Sequence, residues 1–149
     1  MVMNTKNQIE QDLKSAIRAS DELRKRTLRL ALSSIRLVEI EEGAELSEQE
    51  VYSVLQKEVK SRRETIAEAE QAGREDIVSA SEAEIEILNA YLPQPLNNEE
   101  LVALAKEAIA ESGATSVREM GQVMKILMPK VQGRAEGAQV SLIVRGLLG

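Results

Sequence analysis

The sequence contains no cysteine, no histidine, no tryptophan and no phenylalanine. Without cysteine there is no thiolate nucleophile, disulfide, iron–sulfur cluster or zinc finger to consider. Without histidine there is no imidazole base and no Ser-His-Asp triad. The reactive groups that remain are carboxylates, amines, guanidinium groups and hydroxyls, so we expect no catalytic residue and no cofactor. The carboxylate runs at residues 39–45 and 82–86 lack the spaced ligand pattern of an EF-hand, so we also expect no bound metal.

Aromatic side chains are limited to Tyr52 and Tyr91. Nucleic-acid modules such as the RRM and OB folds stack bases on several aromatic side chains, which two tyrosines cannot supply. Base-stacking recognition is therefore excluded, and any contact to RNA would be made to its backbone and shape.

Long apolar runs are also missing. No stretch of about 18 apolar residues occurs, and the N-terminal sequence MVMNTKNQIEQDLK has no apolar core of the kind that marks a signal peptide. We therefore expect no membrane association and a cytoplasmic location. The 149 residues are enough for one modest core or two small ones.

Apolar residues recur at helical spacing, and no useful segment alternates with period two, which predicts an all-α fold. Capping boxes are predicted at Ser47–Glu50, Asn97–Glu100 and Ser116–Glu119, and Gly43, Gly73 and Gly113 suit helix ends. Pro129 and Gly133 are expected to end the next-to-last helix. The last helix is expected over about residues 135–148, with Gly146 weakening its end.

The best domain boundary is the segment around Pro93 and Pro95, because each proline disfavours helix at the residue before it. Residues 1–95 are expected to form an N-terminal domain of long antiparallel helices. Residues 96–149 are expected to form a small domain of three helices.

The formal net charge of -6 is unevenly distributed. Residues 1–95 hold 13 basic and 19 acidic side chains, whereas residues 96–149 hold six of each. Within the second region five of the six basic residues follow its first helix, and these five are the candidates for contact with an RNA backbone. These candidates are Arg118, Lys125, Lys130, Arg134 and Arg145. The alternative is that they only complement helix dipoles.

Two other patterns could form a partner surface: the methionine row Met120, Met124 and Met128, and the a/d seam between Tyr52 and Ala69. Both patterns are also typical of a buried core. Arg29 and Arg36 lie on one face of a predicted helix, and Lys60 and Arg63 lie on one face of the next. These basic side chains could form a binding strip, or they could be an ordinary solvated helix face. The oligomeric state stays open.

Several ordered strings resemble the GatB/YqeY family over essentially the whole chain. They are Lys60-Ser-Arg-Arg63, Ala72-Gly-Arg-Glu-Asp76, Glu86-Ile-Leu-Asn-Ala-Tyr-Leu-Pro93, Met120-Gly-Gln-Val-Met124 and Met128-Pro-Lys-Val-Gln-Gly-Arg-Ala-Glu-Gly137.

The resemblance implies a helical N-terminal domain and a C-terminal domain similar to the tail of the tRNA-dependent amidotransferase B subunit. In that family the tail contacts tRNA, and family-level activity is described as carbon–nitrogen ligation with glutamine as nitrogen donor. The catalytic cradle of the B subunit has no counterpart here. The resemblance thus implies a non-catalytic tRNA-binding adaptor, with an aminoacyl-tRNA synthetase or an amidotransferase as partner. The alternative is a helical protein–protein interaction module or homo-oligomer without RNA binding.

Overall fold

Side-chain caps set the start of several helices. In the computed structural model of the protein, which describes residues 4–149, the Asn4 carboxamide accepts from the Asn7 amide and Asp21 accepts from the Arg24 amide. The capping boxes predicted at Ser47–Glu50 and Asn97–Glu100 are confirmed, with both reciprocal hydrogen bonds present in each. These caps satisfy amides that would otherwise lack an intrahelical acceptor.

The described residues contain seven α-helices and no β-strand, so the all-α prediction is confirmed. The helices are α1 (Thr5–Arg18), α2 (Glu22–Glu42), α3 (Glu48–Gln71), α4 (Glu75–Asn89), α5 (Asn98–Ser112), α6 (Met120–Val131) and α7 (Gly137–Leu148), with a 3₁₀ turn at Val117–Glu119 before α6. Within residues 4–149, no helix has both the length and the apolar character needed to cross a bilayer.

One predicted capping box and one predicted helix end are wrong. Ser116 precedes the 3₁₀ turn but its hydroxyl makes no capping hydrogen bond, because the Glu119 amide donates to the Ser116 carbonyl instead. The Glu119 carboxylate accepts from the amide and hydroxyl of Thr115. Pro129 does not end α6, which continues to Val131. A proline one turn from the end of a helix removes a single hydrogen bond, and the buried Leu127 and Val131 hold that turn against the core.

The chain divides into two compact units, Met1–Pro93 and Gln94–Gly149. In the first unit α1 and α2 pair in the register of an antiparallel hairpin, since Lys6 binds Glu39 and Arg36 approaches Glu10. Its core is formed by Ile9, Leu28, Ala31, Leu32, Ile35, Val51, Val54, Leu55, Val59, Ile87 and Leu88. The Tyr91 hydroxyl donates to Asp12 and ties the segment after α4 to α1.

A charged cluster joins α2, α3 and α4. Arg62 is only 8% exposed; its Nη1 donates to the Glu58 carboxylate at 2.8 Å and its Nε to the Glu84 carboxylate at 3.0 Å. Arg26 of α2 also donates to Glu84, and the Ser34 hydroxyl donates to Glu58. Arg62 lies within the seam between Tyr52 and Ala69, and a buried ion-pair network accommodates its charge there.

The second unit has its own core. The 3₁₀ turn and α5 to α7 enclose Leu96, Leu101, Ala105, Ala108, Ala114, Val123, Leu127, Val131, Val140 and Val144. The methionines of α6 are half-buried and pack against this core. The apolar faces of the three helices are therefore used in the core, and their polar faces are the ones that could contact a ligand.

Candidate nucleic-acid interface

The five candidate cations of the second unit do not lie in one cluster. Lys125 and Lys130 are five residues apart on α6, which places them about 140° apart around the helix and about 7.5 Å apart along it. Both side chains are exposed. Helix α6 therefore presents them on different sides.

Lys130 has an acidic partner. Its Nζ lies 3.3 Å from a Glu111 carboxylate oxygen of α5, and both side chains are largely exposed. Exposed pairs of this kind contribute about 0–1 kcal/mol, because water screens them and both side chains lose freedom. Lys130 can leave Glu111 for a phosphate, but part of its charge is already compensated.

Arg134 serves the fold. It follows Gly133, whose φ of 85° lets the chain turn after α6. The Arg134 Nε donates to the Gln94 carbonyl at 3.1 Å, and the Arg134 carbonyl accepts from the Leu96 amide at 2.9 Å. These two bonds hold the extended segment 94–96 against the turn that precedes α7. The half-buried guanidinium is thus a positioning group for the start of the unit.

Arg118, Lys125 and Arg145 are exposed, and within the described part of the chain none of them has a hydrogen bond or an ion pair from its side chain. Arg118 lies in the 3₁₀ turn, and Arg145 lies in the last turn of α7. These two segments are neighbours, because a Cβ built on Gly149 would lie 3.8 Å from a Val117 methyl group. Arg118 and Arg145 therefore share one end of the unit, and Lys125 lies about a turn and a half along α6 from it.

The acidic side chains of the second unit are mostly elsewhere. Glu99, Glu100, Glu107 and Glu111 are on α5. Glu119 lies beside Arg118 in the chain, but its carboxylate is turned to Thr115. Arg118 and Arg145 thus have no acidic side chain paired with them in the described residues.

Neither surface that the sequence suggested for a partner is free. In the Tyr52–Ala69 seam, Val54, Leu55 and Val59 are buried in the core of the first unit. The row of Met120, Met124 and Met128 packs on the core of the second. In the range 4–149 the structure shows no group of three or more acidic side chains placed to hold a metal ion.

A small polar cleft in the first unit is lined by side chains of α1, α2 and α3, including Lys6, Glu39 and Glu48. A hydrogen bond from the Lys6 ammonium, helped by the Leu46 amide, lowers the pKa of Glu39. Glu48 accepts from the Thr5 amide. The charged groups of the cleft therefore bind one another or nearby amides, and their contacts connect the helices of the first unit.

Curated relatives are similar to parts of this chain. A protein of Lachancea thermotolerans named "Altered inheritance of mitochondria protein 41, mitochondrial" is 39% identical over 87 residues, covering 58% of this chain and 46% of the relative. The protein of the same name from Kluyveromyces lactis is 42% identical over 84 residues, covering 56% of this chain and 45% of the relative. A third protein of this name, from Pyrenophora tritici-repentis, is 28% identical over 144 residues, covering 95% of this chain and 79% of the relative.

The aligned regions thus span about half the length of the first two relatives. The prediction of a cytoplasmic location is contradicted by these comparisons, because the relatives are named as mitochondrial proteins. That prediction depended on signals that the sequence lacks, and a missing signal does not identify a compartment.

The family comparison covers nearly the whole chain. The model described as "Yqey-like protein" matches residues 6–148, which include all of α2 to α7 and both cores. The resemblance inferred from the ordered sequence strings is therefore confirmed. The chain belongs to the YqeY-like protein family.

Proposed function

We propose that this protein is a non-catalytic adaptor that binds tRNA through the backbone contacts of its C-terminal unit. The observation that supports this most directly is the unpaired state of Arg118, Lys125 and Arg145, which are exposed while the acidic side chains of the unit lie mainly on α5. Cations without local partners can release counterions from a nucleic acid when they bind its phosphates.

The five cations have different roles in this proposal. Arg118, Lys125 and Arg145 contact phosphates directly. Lys130 joins them after releasing Glu111, and Arg134 mainly holds the segment 94–96 in place. Since such contacts carry no base information, the protein positions an RNA and leaves its selection to a partner.

The family resemblance supports the same class of ligand. The tail of the amidotransferase B subunit, to which the C-terminal unit is similar, contacts tRNA in that family. An aminoacyl-tRNA synthetase or a tRNA-dependent amidotransferase is then the enzyme that this adaptor would serve. The acidic first unit would repel RNA and confine the contact to the second.

Fluorescence anisotropy with fluorescein-labelled bulk tRNA tests the proposal. We expect binding with a dissociation constant of about 1–100 µM at physiological salt, the usual range for backbone-only recognition, and tighter binding at low salt. Replacing Arg118, Lys125 and Arg145 together by alanine should weaken binding at least about tenfold. The slope of log K against log salt should become shallower by about 2–3 units, because each lost phosphate contact removes about 0.7–0.9.

Lys106→Ala is the matched control, because Lys106 is an exposed lysine on the acidic helix α5. It should leave both the affinity and the salt slope nearly unchanged. Absence of binding at about 100 µM protein in low salt would refute the proposal. So would a triple variant that binds like the Lys106→Ala control.

A further inference from the structure

The outer face of α2 carries large aliphatic side chains in contact with solvent. Leu30 is 49% exposed, Leu37 is 57% exposed and Ile40 is 77% exposed. The opposite face of the same helix buries Leu28, Ala31, Leu32 and Ile35. Helix α2 is therefore apolar on two sides, and the fold of the described residues uses only one of them.

The exposed side chains follow a heptad. Leu30, Ser33, Leu37 and Ile40 are separated by three, four and three residues, the spacing of the a and d positions that one helix presents to another. The seam is one helix wide, since the exposed positions on the neighbouring helices α1 and α3 are mostly polar. A narrow seam of this period fits a single helix, whereas a membrane surface would contact a broader apolar area.

The seam is bordered mainly by cations, and the exposed Glu41, at the e position that follows Ile40, is an acidic exception. Arg29 and Arg36 occupy the g positions that precede Leu30 and Leu37, and Arg26 is exposed at the preceding d position. Residues 23–38 contain no acidic side chain, and Glu39 is turned toward Lys6 of α1. Arg26 donates to Glu84, and Arg36 lies 3.8 Å from Glu10, so Arg29 is the cation with least local compensation.

Charge complementarity identifies the occupant. A partner helix with aspartate or glutamate beside its apolar seam would pair with Arg29 and Arg36. A second copy of α2 fits less well, because an antiparallel pair sets these arginines against each other. In a parallel pair Arg36 would face Glu41, but Arg29 would face Ser34. The phosphates of a nucleic acid could bind the arginines. A nucleic acid fits less well, however, because its backbone has no apolar groups to pack against the exposed Leu37 and Ile40.

We propose that the outer face of α2 binds an acidic amphipathic helix of a partner protein, with apolar anchors on Leu30, Leu37 and Ile40 and carboxylates on Arg29 and Arg36. This surface is in the first unit, so it is separate from the RNA contacts proposed for the second. An adaptor with both surfaces would hold a protein and an RNA at the same time.

A designed peptide is the probe. It has about three heptads with leucine at a and d and glutamate at e and g, and carries fluorescein; a second peptide has lysine in place of glutamate. Fluorescence anisotropy with the full chain should show the acidic peptide binding at least about tenfold more tightly than the basic one. Leu37→Ser together with Ile40→Ser should weaken the acidic peptide by at least about tenfold, because two apolar anchors are lost.

Two further variants separate this inference from general stickiness and from RNA binding. Leu142→Ser removes an equally exposed leucine of the second unit and should leave peptide binding unchanged. Arg29→Glu together with Arg36→Glu should reverse the preference to the basic peptide. The Leu37→Ser and Ile40→Ser variant, which leaves the charge unchanged, should keep its affinity for bulk tRNA. Peptide binding is measured without RNA, so a failure of the RNA proposal would leave the peptide result standing.

The inference is overturned if the two peptides bind equally, or if the Leu37 and Ile40 variant binds the acidic peptide like the unmodified protein. Sedimentation velocity gives another decisive result. A dimer that dissociates with Leu37→Ser and Ile40→Ser, in a protein that does not bind the acidic peptide, would show that a second copy occupies the face. Far-ultraviolet circular dichroism should show native helix content in each variant, because the substituted side chains are exposed.

Discussion

Replacing Arg62 with methionine removes the cation that binds the Glu58 carboxylate on its own helix and joins α3 to α4 through the Glu84 carboxylate. Methionine keeps much of the length and volume of the side chain, so the change acts mainly on charge and hydrogen bonding. Arg62 donates three hydrogen bonds, including one to the Glu58 carbonyl, and its side chain is 10% exposed.

The expected cost is about 3 kcal/mol. Removing one partner of a buried ion pair costs about 3–5 kcal/mol because a desolvated charge is left behind. The lower end applies here, since Glu84 keeps its bond from Arg26 and Glu58 keeps its bond from Ser34. With a urea m-value of about 1.5 kcal/mol per M, the unfolding midpoint of the first unit should fall by about 2 M.

Tyrosine fluorescence during urea unfolding reports the first unit alone. The chain has two tyrosines and no tryptophan, and Tyr52 and Tyr91 both lie in Met1–Pro93. The tyrosine signal therefore reports the unfolding of the first unit, whereas circular dichroism reports the helix content of both units.

Arg63→Met is the control, because Arg63 is the exposed neighbour of Arg62 on the same helix. It should change the free energy of unfolding by less than about 0.5 kcal/mol. Adding Glu58→Gln and Glu84→Gln to Arg62→Met should recover part of the loss, since the unpaired carboxylates are then removed. A loss below about 1 kcal/mol for Arg62→Met, or one equal to that of Arg63→Met, would refute this account of the cluster.

Two other changes test smaller features of the structure. Glu39→Gln should destabilise the first unit by about 1 kcal/mol near neutral pH, because the native carboxylate is held by Lys6 and the Leu46 amide and its pKa is lowered below the ordinary 4.5. A lowered pKa stabilises the fold fully above the unfolded value, so the deficit in urea titrations should shrink as the pH falls below that value and vanish once the pH is below the native pKa; a deficit that persists in acid would contradict the assignment. Gly146→Ala should increase the free energy of unfolding of the second unit by up to about 1 kcal/mol and so raise its thermal midpoint. The reason is that Gly146 is helical and nothing lies within 4 Å of an added Cβ. A lower midpoint in circular dichroism melts would show that this turn of α7 needs glycine.

Local signals predicted most of the helix ends. Ser47 and Asn97 cap α3 and α5 with the glutamates three residues later, because the partners lie within one turn of each other. Gly43 and Gly113 end α2 and α5 in the left-handed conformation that was expected of them. The capping box predicted at Ser116 does not form, because the Glu119 carboxylate accepts from Thr115. The sequence spacing alone does not show which of these neighbouring groups will bind the carboxylate.

The candidate site was predictable as residue types and not as an arrangement. Charge counting found Arg118, Lys125 and Arg145, but it treated Arg134 as equivalent to them. Only the folded chain shows that Arg134 holds Gln94 and Leu96 and that Lys130 pairs with Glu111. Partners 19 and 40 residues apart in sequence are brought together by the packing of separate helices.

The amino-acid sequence by itself determined that the protein is helical, where most helices begin and end, and which chemistry is absent, because caps, turns and composition act within a few residues. The tertiary structure alone decided which side of an amphipathic helix is used. It buried Arg62 between two glutamates, left Leu37 and Ile40 in solvent, and turned the methionines of α6 inward. Each outcome depends on which helix packs on which face, and free energy of burial is set by neighbours distant in the chain.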